Sequence, residues 1–265
     1  MDWGIDLNKL ILRAVKLKNI FNKTNKSKRH MSWVSNFLTS SLGKKLVMSL
    51  TGLFLILFLL VHLVGNLQLL PFVADDPAKA FNEYAFFMTT FTPIKTVSYG
   101  LYAFILIHAV QGWILWRQNA AARGPVRYAV NDLRAVNTHA GTAARMGWLG
   151  TIIFVFIVLH LYQFWLQMKM GTLDTVTYDG VVMSDLHGIV ARTYANPGFV
   201  AIYVVSMVVI AFHLWHGFQS AFQTLGWNHK KYTPAIQFIG KAYAILVPLG
   251  FAIIPVVMYL QSLNA

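Results

Sequence analysis

Cysteine is absent from all 265 residues. That excludes disulfides, thiolate-held iron–sulfur clusters and the Cys-x-x-Cys-His attachment of a c-type haem. Glycine-rich phosphate loops are missing too, so no nucleotide site is evident. Charge is scarce, at 12% of residues, against about 25% in soluble domains. Acids are the scarcest of all, nine against 22 Lys and Arg.

Apolar residues fill the chain instead, at 57%. Runs without Asp, Glu, Lys or Arg occupy Leu46–Leu70, Thr96–Trp116, Met146–Met168, Phe199–Asn228 and Ala242–Ala265. Each is long enough for the ~20 helical residues that cross a ~30 Å hydrocarbon layer. The expected fold is therefore an all-α integral membrane protein, a bundle of five transmembrane helices near 46–70, 96–116, 146–168, 199–225 and 242–263. Short connections leave one membrane domain, 31–265, and no separate soluble one.

Basic residues set the expected orientation. With the N-terminus cytoplasmic, the inner segments 1–45, 117–145 and 226–241 hold 18 Lys and Arg, and the outer segments 71–95 and 169–198 hold 4. Six of the nine acids lie in the outer segments. The net charge of +13 thus reads as an orientation signal, with the C-terminus outside, and not as a nucleic-acid footprint. Arg117, Arg123, Arg127, Arg134 and Arg145 also suit anionic lipid or an acidic partner.

Residues 1–30 differ from the rest. Trp3, Leu7, Leu10, Ala14, Leu17 and Phe21 recur at steps of three and four, with Lys9, Arg13, Lys16 and Lys18 on other faces. This suits a basic amphipathic helix on the inner membrane surface. A dispensable extension ahead of Met31 is the alternative. The segment lacks the long apolar core and cleavage site of a signal peptide.

Five of the nine histidines fall inside spans: His62, His108, His160, His213 and His216. Ionisable groups at membrane depth usually mark function. At 1.5 Å rise per residue, His62 and His160 lie roughly 24 and 20 Å from the inner ends of their spans. His108 and His216 lie roughly 13 and 14 Å from theirs. Four antiparallel helices thus bring two histidines together in the outer half and two in the inner half. Bis-imidazole ligation of two b-type haems needs this arrangement. Hydrogen bonding between helices and proton relays are the blander uses. A zinc or copper site needs ligands converging on one point, and two levels argue against it. Depth alone does not choose between His213 and His216, which are one helical turn apart. Gly65, Gly112 and Gly217 lie close enough to let a porphyrin approach the backbone. His30, His139, His187 and His229 are read as surface residues.

The segments MSLTGLFLILFLLVHL (48–63), ILIHAVQGW (105–113), FIVLHLYQFW (156–165) and HLWHGFQSAFQTLGW (213–227) resemble the cytochrome b anchor of succinate:quinone oxidoreductases, in its single-polypeptide, five-helix, two-haem class. The likeness covers about Ser32 to the C-terminus. It implies that His62 and His160 hold a distal haem b in the outer half, and His108 and His216 a proximal one in the inner half. The H-G match favours His216 as ligand, with His213 near a haem propionate or handling protons. Ser49 falls where the family places a propionate contact.

The likeness also implies a flavoprotein that oxidises succinate and an iron–sulfur subunit as partners. Electrons would run from the latter through both haems to a quinone, menaquinone for this class, across a bacterial cytoplasmic membrane. Asn66, Gln68, Tyr162 and Gln163 are the quinone candidates near the distal haem. One departure is Leu214, where some relatives carry a proton-handling glutamate. The rivals are the cytochrome b of a hydrogenase or formate dehydrogenase, a haem-free histidine-bearing transporter with a last span kinked at Pro248 and Pro255, and an anchor that has lost its haems.

Overall fold

The computed structural model describes Lys16, residues 33–123 and residues 140–264. The amphipathic segment expected before Met31, together with His30, Arg127, Arg134 and His139, lies outside the described residues, Lys16 excepted. The chain divides into two compact units, 1–43 and 44–265. In the first, the short helix α1 (Trp33–Thr39) ends at Ser40, whose hydroxyl receives the Gly43 amide at 3.0 Å.

The second unit is an all-α integral membrane bundle, 83% of the structure being helical. Its five long helices are α2 (Ser41–Asn66), α4 (Thr92–Arg123), α5 (Ala140–His160), α8 (Pro197–Thr224) and α9 (Thr233–Ser262). All five expected spans are present, and each helix begins ahead of its uncharged run. The largest extension is in α9, which begins nine residues early. Pro234 sits in its first turn, where a missing N–H costs nothing. Pro248 and Pro255 lie buried within this helix, which runs unbroken through both.

Apolar side chains on the outer faces of the spans stay uncovered. Leu106, Val110 and Trp113, at steps of four and three on α4, are 59%, 56% and 54% exposed. A water-soluble domain does not present such a stripe, whereas hydrocarbon accepts it.

The connections 67–91 and 161–196 are more structured than short loops. Leu67–Leu69 form a 3-10 turn and Pro77–Thr90 form α3, which Asp76 caps by accepting the Lys79 amide at 3.0 Å. After α5 come a π-helical turn (Leu161–Leu166), α6 (Gln167–Met170) and a two-stranded hairpin, β1 (Thr175–Tyr178) with β2 (Val181–Ser184). The strands are antiparallel, with Tyr178 opposite Val181. Between them Asp179 and Gly180 take φ of 49° and 81°, the left-handed pair that a two-residue turn demands. Helix α7 (Leu186–Tyr194) follows. Together these elements cap one end of the bundle, here the capped end. The other, basic end carries the connection 225–232.

The cap is latched by Asn82, which is 1% exposed. Its amide donates to Asp185 Oδ1 at 3.0 Å and its oxygen accepts the His187 amide at 2.8 Å. Asp185 Oδ1 also accepts the Gly188 amide, so one carboxylate caps α7 and ties it to α3. His187, expected at the surface, is half-buried in this latch; His229 is exposed as expected.

Candidate functional site: two histidine pairs inside the bundle

Side chains from α2, α5, α8 and α9 meet in the capped half. The rings of His62 (α2) and His160 (α5) have centroids 5.9 Å apart and planes crossed at 84°. Phe58 stacks on His62 at 5.2 Å, and Phe251 of α9 flanks it at 5.5 Å. Around His160 stand Phe156, Phe164 and Tyr203. This level adjoins the main apolar core, which includes Leu63, Phe164, Tyr194, Val247 and Ile254.

Tyr203 of α8, buried at 4% exposure, orders the pair. Its hydroxyl donates to Gln163 Oε1 at 2.7 Å and lies 3.4 Å from His160 Nδ1, the long end of hydrogen-bonding range. A phenol has one proton, and Gln163 takes it. Toward His160 the oxygen can then only accept, so Nδ1 carries the proton and Nε2 keeps a free lone pair. The π-helical turn supplies this geometry, because Gln163 lies within it, directly after His160.

His62 is held differently. Asn66 Nδ2 donates to the His62 carbonyl at 2.7 Å and approaches His62 Nδ1 at 3.3 Å. A donor at Nδ1 leaves the ring proton on Nε2, so metal ligation there requires the Asn66 amide to turn its oxygen toward the ring.

The second level lies toward the basic end. The ring of His108 (α4) stands 6.3 Å from that of His213 (α8), with planes at 67°. Thr51 Oγ1 lies 3.2 Å from His108 Nδ1 and also donates to the Val47 carbonyl at 2.8 Å. Along α8, Tyr203 and His213 are ten residues apart, so the two levels are separated by ~15 Å. The two depths expected from the sequence therefore reappear as two ring pairs on different helices. The partner of His108 is the point of difference. The H-G likeness favours His216, whereas the ring geometry puts His213 opposite His108 and leaves His216 one turn further on.

The spacing suits an iron between each pair. Metal–imidazole bonds of about 2.0 Å on either side put the ring centres about 6 Å apart. Backbone spacing agrees. Among the described residues α8 packs closely with α9 and with α5, and α4 packs on α5, while α2 stands back from the other long helices and reaches them largely through side chains. All five span histidines are half-buried. The Nδ1 atom of His213 is buried with no hydrogen-bond partner among the described residues, as are the amide nitrogens of Gln111 and Gln219. The donor set and the spacing fit two bis-imidazole haems. Among the described residues no three His, Cys, Asp or Glu gather to hold a metal ion of another kind.

The remaining expected site residues fall out unevenly. Gly65 does not face an open slot: a Cβ there would overlap the Tyr84 ring. Gly112 is filled by Met48, whereas Gly217 has nothing within 4 Å. Ser49, 6% exposed, turns its hydroxyl to the Lys45 carbonyl at 2.9 Å. Of the quinone candidates, Asn66 and Gln163 are engaged with the histidine pair, Gln68 is half-buried, and Tyr162 is 61% exposed on an outward face. Tyr203 and Thr51 carry no signal in the sequence, since neither stands out in an apolar span until its partner is seen.

Compared with protein-family models, characterised proteins and solved structures, the chain shows no significant match.

Proposed function

We propose that this chain is the haem-carrying membrane anchor of a succinate:quinone oxidoreductase, an all-α subunit that holds two b haems and delivers electrons to a quinone. One observation carries the reading: two histidine pairs, 5.9 and 6.3 Å apart between ring centres, stacked along one bundle. His62 and His160 would hold the haem of the capped half; His108 and His213 would hold that of the basic half. Haems with both axial positions filled supply one-electron transfer and leave no position for oxygen.

The chain's own residues fix and insulate these groups. Tyr203 and Gln163 set the tautomer and orientation of His160, as hydrogen-bonded partners commonly do for metal-bound histidine. Phe58, Phe156, Phe164 and Phe251 wall the capped-half pair away from water. Thr51 meets His108 from α2. The succinate-oxidising flavoprotein and the iron–sulfur subunit belong to this reading as partners at the basic end, which the positive-inside rule assigns to the cytoplasm. Menaquinone is its quinone, and a bacterial cytoplasmic membrane its location.

The test is a reduced-minus-oxidised spectrum with haem quantitation on the purified complex, beside His62→Ala, His213→Ala and His216→Ala. The expected result is two haems b per chain, with His62→Ala and His213→Ala each perturbing a different one and His216→Ala keeping both. A stable, folded preparation without haem would end the proposal. Loss of the second haem from His216→Ala, with His213→Ala intact, would return the ligand to His216.

A further inference from the structure

Two buried amides of the basic half have no place in the ligand scheme. Gln111 Nε2 on α4 and Gln219 Nε2 on α8 are both shut off from solvent with no hydrogen-bond partner among the described residues. A buried polar group left unpaired is costly, more so inside hydrocarbon, and such groups in native proteins generally have a partner. Both lie toward the basic end from the histidines. Gln111 is three residues beyond His108 toward the basic end, ~4.5 Å along the axis, and Gln219 is six beyond His213, ~9 Å. The backbones of α4 and α8 do not pack closely among the described residues, so the two amides are not paired across a helix contact. Two N–H donors toward the basic end from a ring pair, with no acceptor among the described residues, suit an oxygen acceptor carried by a ligand.

We propose that Gln111 and Gln219 donate hydrogen bonds to a carboxylate side arm of the haem held between His108 and His213. This rests on the haem reading under Proposed function. A ring held edge-on along the bundle axis at that level extends its side arms one to two helical turns toward the basic end, the depths these amides occupy. Neutral donors suit this role, because they stabilise an anion without bringing a second buried charge into the bundle. They also set the electron affinity of the iron, because a carboxylate whose charge is spread into hydrogen bonds favours the oxidised metal less.

The experiment uses the intact complex with Gln111→Leu, Gln219→Leu and the double variant, in redox titration and redox-difference infrared spectroscopy. Leucine keeps the volume and removes the donors. Both haems should remain in each variant. At fixed ambient potential, the centre that His213→Ala perturbs should shift about tenfold toward its oxidised form, the order of a lost hydrogen bond to a charged acceptor. Its carboxylate infrared bands should move with it, and the other centre should not change. If a leucine variant does not fold, Gln111→Asn and Gln219→Asn, which shorten the reach and keep the polarity, are read the same way. Unchanged potential and unchanged carboxylate bands would overturn the assignment. So would a loss of quinone reduction with those bands unmoved, which would make the acceptor a quinone carbonyl. A parent complex lacking haem shows itself before any variant is made, and would end the haem reading together with this one.

Discussion

At the scale of single residues, Tyr203 decides most. Its one proton goes to Gln163, so His160 meets an acceptor at Nδ1. An imidazole that donates through Nδ1 is a stronger donor to a metal through Nε2, and loss of such a partner typically weakens metal affinity about 10–100-fold. Tyr203→Phe keeps the ring packing against Phe156 and Tyr194 and removes only the oxygen. The capped-half centre should then be easier to reduce and lose its haem more readily on dilution in detergent. Redox titration and haem retention check this; a variant with potential and retention unaltered at both centres would mean that Tyr203 only packs. Gly65 is the second residue-scale case. Because a Cβ there would overlap Tyr84 Cε1, Gly65→Ala must displace the tyrosine and with it α3, at about 1–3 kcal/mol. A lowered melting temperature with both haem spectra retained is the expected outcome.

At the scale of elements, the cap is latched by polar bonds beside an apolar core that includes Leu69, Leu70, Phe81 and Val190. Asn82 bonds both the Asp185 carboxylate and the His187 amide, and all three groups lie in one layer between α3 and α7. Asn82→Ala leaves an acceptor and a donor without their partner. The expected cost is about 2–3 kcal/mol, read as a lower thermal midpoint in detergent with amide exchange in 186–194 accelerated first. His187 adds a pH dependence. Burial pushes its imidazole below the usual value of 6.5, against the opposing pull of Asp185 and Asp76. A histidine depressed in the folded state binds protons more tightly once unfolded, so its contribution is present above the unfolded value and is lost as pH falls below it. Exchange of the α7 amides should therefore quicken below about pH 6.5, and less so in His187→Gln. The same acceleration in His187→Gln would place the pH sensitivity on other groups.

How far these elements are legible in the sequence follows from what each depends on. The five spans are legible because hydrocarbon demands long uncharged helices. Their ends escape where a cap, not a charge, starts the helix, as at Tyr232–Pro234. The two depths of histidine are legible because a helix converts residue count to distance. The partner of His108 is not, since positions three apart on one helix differ in direction by less than residue counting resolves. The hairpin is signalled by Asp179-Gly180 between short Val- and Thr-containing runs, yet it lies in a connection that hydropathy treats as mere loop. Tyr203, Thr51, Gln111 and Gln219 depend on partners across the bundle, and no local pattern carries that information.

At the scale of the whole molecule, packing is uneven in a way that would tie stability to the proposed haems. The buried apolar core gathers at the capped half, and α8 and α9 pack closely along their lengths. Helix α2 stands apart from the other long helices, and α4 packs less extensively, on α5. They are joined to each other by contacts such as Phe54 with Phe104, and to the rest by Tyr243 to the Ile56 carbonyl, Trp165 to Tyr102 at 2.8 Å and the two histidine pairs. Iron bridging each pair would therefore cross-link the loose helices to the packed ones. A ligand bound only by the folded state stabilises it in proportion to the logarithm of its excess over Kd. Haem depletion should then act regionally. Chain made in a haem-deficient host should show amide exchange much faster in α2 and α4 and little changed in α8 and α9, with a lower melting temperature restored by added haemin. Equal protection of all five helices with and without haem would mean that side-chain packing alone holds α2 and α4, and the two pairs would lose their structural reason to face each other.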